Sequence, residues 1–156
     1  MDRIVLYELI DNKINDKLSI VFQNGYQVES KGFEVTDSHN LNPYYYLLIK
    51  MPLYREVEIF FLQKGAISEV NNINIIIHNT KTNDVINEHL RFSLINYYYN
   101  KTNNRKGFSL NDYEGTINEK IDKMLSFIFD IIQNDLINVF SGKLWIDVPW
   151  DWCGAK

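Results

Sequence analysis

Cysteine is almost missing from this chain: one residue, Cys153, stands near the C-terminus of 156. A lone thiol cannot build an internal disulfide framework, so nothing points to an oxidising compartment. Glycine and proline are also sparse, at seven and three, which excludes collagen-like and linker-dominated chains. Long apolar runs are lacking too. Runs such as 44–49, 59–62 and 75–77 fall far short of the roughly 20 residues that span a bilayer. The first residues, MDRIVLYELIDNK, place Asp2 and Glu8 where a signal peptide needs a basic start and an unbroken apolar stretch. A cytoplasmic protein that enters no membrane is the simplest expectation. Positive charge is in deficit, with 16 Lys and Arg against 20 Asp and Glu and a net charge of −4. That balance speaks against a broad nucleic-acid binder, which needs clustered cations to hold phosphates.

Catalytic motifs are lacking as well. There is no G-x-G-x-x-G and no GK[ST], and Ser141-Gly142 is a helix end, not a G-x-S-x-G elbow. His39, His78 and His89 have no metal-ligand spacing with one another or with Cys or acids. His78 and His89 can meet across a hairpin turning at 79–84, but no third ligand is in view. Cys153 has no histidine near it in sequence, and Asp147 with Asp151 reads as a solvated pair of acids. The expectation is a protein that is not an enzyme and takes no cofactor and no metal. An enzyme with an unfamiliar site would show itself by turnover lost on His78→Ala or His89→Ala.

What is present suits a soluble globular protein, with 46% apolar and 23% charged residues. A chain of this length buries roughly 70% of its unfolded surface, so one domain over 1–156 is expected, with no need of disulfides or metal. The 19 Asn and 20 Ile, with abundant Lys and Tyr, fit AT-rich coding bias. Because the Asn residues are scattered, they carry no low-complexity signal.

Along the chain, Ile4, Tyr7, Ile10 and Ile14 have the spacing of one helix face, which predicts a short N-terminal helix to about Ile14, with a strand over Ile4–Ile10 as the alternative. Leu18, Ile20 and Phe22 then alternate ahead of Asn24-Gly25, a pair that favours the type I′ turn of a hairpin. The return strand is expected over 26–35, with a bulge at Lys31-Gly32, followed by a loop over 37–43. Further strands are expected at 44–51, stopped by Pro52, and at 56–63 and 73–78, followed by a turn over 79–84. A long strand is expected from Val85 or Glu88 to Tyr99, with Leu90, Phe92, Leu94 and Tyr98 on one face. The polar loop 100–106 carries three cations.

Thr116-Ile117-Asn118-Glu119 fits the S/T-x-x-E capping box, and an apolar helical stripe follows from Ile117 to Val139. Gly142 sits where a left-handed residue ends such a helix. A short strand is expected over 144–148. The whole predicts an α+β fold, an antiparallel meander of five to seven strands with the short N-terminal helix and the long C-terminal helix packed on one face.

Two features point to binding. Tyr44-Tyr45-Tyr46 and Tyr97-Tyr98-Tyr99 fall in expected strands, so alternate rings must face outward. Such rings serve sheet packing, a protein interface, or stacking on single-stranded bases. Near the C-terminus, Trp145, Trp150 and Trp152 are interleaved with Asp147 and Asp151. They either fold back over the core or present Trp and acid to a basic partner.

The segment Tyr113-Glu114-Gly115-Thr116, the amphipathic helix 117–140 and the closing GKLWIDVPWDW of 142–152 together resemble small immunity proteins encoded beside bacterial polymorphic toxins, including those of contact-dependent growth inhibition systems. The resemblance covers the C-terminal part of the chain and, more loosely, the sheet-plus-helix architecture. It implies a cytoplasmic inhibitor that binds one cognate toxin domain, a basic nuclease, and occludes its active site or an exosite. An acidic protein suits that role because opposite fields speed encounter. On this reading the partner-binding residues are Tyr113, Glu114, Asp147, Trp150, Asp151 and Trp152. The alternative is a single-stranded nucleic-acid-binding sheet protein whose exposed tyrosines stack on bases. A homodimer through an unpaired sheet edge or through packed Trp-rich tails stays open.

Overall fold

The computed structural model describes residues 3–23, 25–35, 43–64, 70–81 and 90–149. His39, His89, Trp150, Asp151, Trp152 and Cys153 lie outside the described residues, as do Asn24 of the expected hairpin turn and most of the expected loop over 37–43.

The chain opens with helix α1, Arg3–Val21, longer than the short helix expected. No Gly or Pro interrupts it, and Leu18 continues the buried stripe of Leu6, Tyr7, Ile10 and Ile14. The alternation at 18, 20 and 22 therefore does not make a strand: Leu18 is buried within the helix, whereas Ile20 is 69% exposed. Phe22 stacks on Phe140 at 5.8 Å, and the Gly25 amide donates to the Phe22 carbonyl at 2.8 Å. The turn thus joins a helix to a strand rather than two strands of a hairpin.

Five strands follow, β1 Gln27–Val35, β2 Pro43–Met51, β3 Arg55–Lys64, β4 Val70–Asn79 and β5 Arg91–Ser93. They form an antiparallel sheet in the order β1-β2-β3-β4-β5, so the meander expected from the sequence is the fold observed. Alternation decides the faces. Leu47 pairs with Ile59 and Ile59 with Ile75, and all three are buried. The register shift of β1 falls between Val28 and Ser30, not at Lys31-Gly32. Gly32 has a different task. The Tyr46 ring lies over it, so an added Cβ would stand 3.1 Å from the Tyr46 hydroxyl.

The expected long strand into Tyr99 is not formed. After three residues of β5, the chain turns into helix α2, Leu94–Thr102, and Tyr97, Tyr98 and Tyr99 lie on that helix. Ser93 explains the switch: its side chain accepts from the Asn96 amide, an N-cap that starts a helix where β propensity would extend the strand. The edge of β4 that β5 leaves uncovered is met by a different segment. The Ile73 amide donates to the Phe108 carbonyl at 2.8 Å, and Asn72 bridges Ser109.

Helix α3, Ile117–Ile131, runs through a π-helical stretch, Ile132–Leu136, into helix α4, Ile137–Phe140. The capping box is present as the sequence predicts. The Thr116 side chain accepts from the Glu119 amide at 3.2 Å, and the Glu119 carboxylate accepts from the Thr116 amide at 3.0 Å. The wide π turn keeps Ile131, Ile132, Leu136 and Val139 all buried along the run. Gly142, at φ +85, ends it. Residues 144–148 make no strand; Trp145, Ile146 and Val148 pack on the core instead.

The helices cover one face of the sheet. Tyr7 lies 5.3 Å from Phe33 and 6.0 Å from Phe61. Asp11 of α1 accepts from the Tyr45 hydroxyl at 2.7 Å and from Lys31 at 3.1 Å, tying the helix to β2 and β1. Burial, and then Asp11, raise the Tyr45 pKa and keep that hydroxyl protonated. Helices α1 and α3 are joined by Lys13 to Asp122 at 2.6 Å and Lys17 to Ser126 at 3.2 Å. No described helix is long and apolar enough to cross a membrane.

Candidate partner-binding site

One end of the molecule collects the end of α1, the β2–β3 turn, the end of α4 and the segment 142–149. Arg55 holds it together. It occupies the inward-facing position of β3, in phase with Val57, Ile59 and Phe61, and is 4% exposed. Its Nε donates to the Val139 carbonyl at 2.8 Å, Nη1 to the Tyr54 carbonyl at 3.0 Å and to Asn79 Oδ1 at 2.9 Å, and Nη2 to the Leu144 carbonyl at 2.9 Å. The guanidinium also lies 5.0 Å from the centre of the Trp145 ring.

Every oxygen in this set is neutral. The charge is balanced by carbonyl dipoles, including one from the last turn of α4, where a cation is favoured. Burial pulls the Arg55 pKa below its usual value. The guanidinium nonetheless remains charged, because an unperturbed arginine titrates far above neutral pH.

This cation fixes the segment that follows the helix. Trp145 packs against Phe92 at 5.3 Å, and Ile146 and Val148 are half-buried against the core, while Asp147 stays exposed. Gly142 closes on the β2–β3 turn so tightly that a Cβ there would stand 2.3 Å from the Leu53 carbonyl oxygen.

A cleft of about 240 Å³ opens at the same end, lined by Val21, Phe22, Met51, Pro52, Ile137 and Ser141. Exposed apolar side chains neighbour its lining residues in the chain: Ile20 beside Val21, Leu53 (50% exposed) and Tyr54 (58%) after Pro52, and Leu144 (45%) three residues beyond Ser141. Gln23 and Tyr54, two of the three described non-glycine residues with left-handed backbone, also lie here, at φ 50 and 58. Such strained conformations persist only where surrounding structure holds them, and they cluster at binding sites. An apolar cleft whose lining segments carry exposed Leu and Tyr can receive an apolar side chain of a protein partner.

The structure separates the residues predicted from sequence. Asp147 belongs to this end. Tyr113 and Glu114 precede α3, at the far end of a 24-residue helical run that is about 36 Å long. One compact patch does not include both groups. Tyr113 is half-buried, its hydroxyl donates to the Gly107 carbonyl at 2.9 Å, and burial pushes its pKa up to about 12. Glu114 is exposed, and its carbonyl accepts from Lys123. Trp150, Asp151 and Trp152 follow Pro149 in sequence, outside the described residues.

Of the tyrosine triplets, only 44–46 lies on a strand, with Tyr45 buried and Tyr44 and Tyr46 on the opposite face. Tyr97 on α2 donates to Asp135 at 3.2 Å, and burial, followed by that charge, raises its pKa. His78 pairs with Glu58 at 3.1 Å. Among the described residues no group of three His, Cys, Asp or Glu could hold a metal ion.

Arg55, Leu53 and Tyr54 escaped sequence reasoning. The signal for Arg55 was its phase: a cation at an inward position of a strand must be held by acceptors from elsewhere in the chain. No family model, no curated protein and no solved structure matches this chain.

Proposed function

We propose that the chain is an immunity protein, a cytoplasmic inhibitor that docks stoichiometrically on a cognate basic nuclease toxin and occludes its active site or an exosite. The observation that carries this reading is the apolar surface of Leu53, Tyr54 and Leu144, carried by the segments that line the cleft, at the same end as the exposed Asp147. Each part has a physical task. The cleft takes an apolar anchor, and hot spots of this kind supply most of the affinity of an interface. Asp147 and the net charge of −4 draw a basic partner and set its orientation. Because Arg55 already holds residues 144 and 145 in place, little ordering entropy is left to lose on docking.

The test is co-expression with the toxin domain encoded beside this chain, read as growth rescue and as a 1:1 complex on gel filtration. Wild type rescues and co-elutes. Leu53→Asp, at a half-exposed site, weakens binding by at least tenfold, the scale of a central interface residue. Reversing Asp147 and Asp151 together to Lys slows association and sharply reduces rescue. Glu114→Lys, at the far end, leaves both intact. Failure to form a complex, or full neutralisation by the Asp147 and Asp151 double reversal, sinks the reading.

A further inference from the structure

The sheet face turned away from the helices carries its own apolar cluster. Tyr44, Tyr46 and Leu48 of β2 stand there beside Phe60 of β3 and Ile76 of β4, all half-buried. None belongs to the buried core or packs against it. They pack on one another instead, with the Tyr44 ring 6.1 Å from both Tyr46 and Phe60. We propose that this face is the contact between two copies of the chain, with their sheets stacked across a two-fold axis.

Two observations favour a second copy over a basic partner. The first is charge. The described charged side chains of this face across β2–β5 are Lys50 and Arg91 against Glu56 and Glu58, with His78 bonded to Glu58. They balance, although the whole chain carries −4. Two copies meet here without net repulsion, whereas a basic toxin finds no excess of acid to attract it.

Size is the second. Eight rungs pair β2 with β3. At about 3.4 Å per residue and 4.8 Å per strand, β1–β4 present a plane of roughly 500 Å². Standing side chains enlarge the accessible area beyond that plane, towards the roughly 800 Å² per partner of a standard interface. Facing sheets pack through side chains of this kind in β-sandwiches.

Sedimentation velocity of the full chain, run from about 1 to 200 μM, reads the result directly. Wild type sediments with twice the 18.5 kDa chain mass at the upper concentrations. Phe60→Glu, folded by circular dichroism, raises the dimer dissociation constant at least tenfold, while Leu53→Asp at the cleft leaves the mass unchanged. If Phe60→Glu does not fold, Ile76→Thr keeps a β-branched residue on the strand and gives the same test. A wild-type monomer across the range overturns the inference, as does a folded Phe60→Glu that remains dimeric. Protection of this face from hydrogen exchange only when the toxin domain is added also overturns it, in favour of a heterologous partner. The proposed toxin inhibition does not depend on this result, because its surface lies at the end of the sheet.

Discussion

The two ends of the long helical run differ in the range of the contacts that anchor them. Before α3, the chain holds itself with near neighbours. The Asp112 carboxylate accepts from the Gly107 amide at 2.8 Å and from the Ser109 amide at 3.3 Å, and Tyr113 reaches back to the Gly107 carbonyl. Thr116 and Glu119 then close the capping box. Beyond α4, the Gly142, Lys143 and Leu144 amides also bond locally, to the Val139 and Asn138 carbonyls, but a long-range tie is added by Arg55, which is 84 residues from Val139 and 89 from Leu144 in sequence. Local bonds form as soon as the local backbone forms. The distant ones exist only when sheet and helices have already met, so the C-terminal end reports the integrity of the whole fold.

Arg55→Ala should produce the largest effect. It removes the donors for three carbonyls and for Asn79, leaving one buried and three partly buried acceptors. Bonds to a charged donor contribute about 1.5–3 kcal/mol each but do not add fully, so a loss of about 3 kcal/mol is expected. Urea unfolding should show a lower midpoint with an unchanged slope. Arg55→Lys should recover little, because one ammonium cannot reproduce a planar fork that reaches four oxygens. A loss under about 1 kcal/mol would place the anchoring of segment 142–145 elsewhere.

Two glycines sharpen the same contrast. Gly142 has φ +85, and a methyl there meets the Leu53 backbone carbonyl at 2.3 Å. Gly107 has φ +114, and a methyl there meets the Phe127 ring, with the nearest atom also at 2.3 Å. Both substitutions incur the left-handed cost of about 1–2 kcal/mol. They differ in what must move. A half-buried ring can turn aside, while a backbone carbonyl in the β2–β3 turn moves only with its strands. Gly142→Ala should therefore cost about 3 kcal/mol and Gly107→Ala about 2 kcal/mol. Equal losses in thermal midpoint would show that the two ends are equally rigid.

The same division explains what could be read from the sequence. Helix α3 was legible because Thr116, Glu119 and the apolar stripe lie within a few turns of one another. Strands β2, β3 and β4 were legible because their buried residues alternate. Leu18 and Leu94 misled for one reason: each fits a strand pattern locally, while a helix partner or the Ser93 N-cap decided the outcome. At the candidate site, Asp147 stood out as an acid among tryptophans, and its surroundings did not. Leu53 and Tyr54 sit in a turn whose closeness to Gly142 depends on the packing of β3 under α4. Tyr113 and Glu114 were grouped with Asp147 because they flank one helix in sequence, and the length of that helix is what parts them.

The capping box should show the smallest effect, and its size tests whether the local end is as loosely coupled as its bonds suggest. Thr116 and Glu119 are both exposed, so water can replace what a substitution removes. Thr116→Ala should cost about 1 kcal/mol, within the usual range for a lost N-cap. Thr116→Ser keeps the accepting oxygen and should be close to neutral. Because α3 is fixed by buried Ile121, Met124 and Leu125 rather than by its cap, fraying should stop within the first turn. Hydrogen exchange should then quicken at the amides of Asn118 and Glu119 but stay slow from Met124 onward. Exchange that quickens along the whole helix, as far as Val139, would mean that the two ends are coupled through it after all, and the Arg55 anchor would have to respond to a change about 36 Å away.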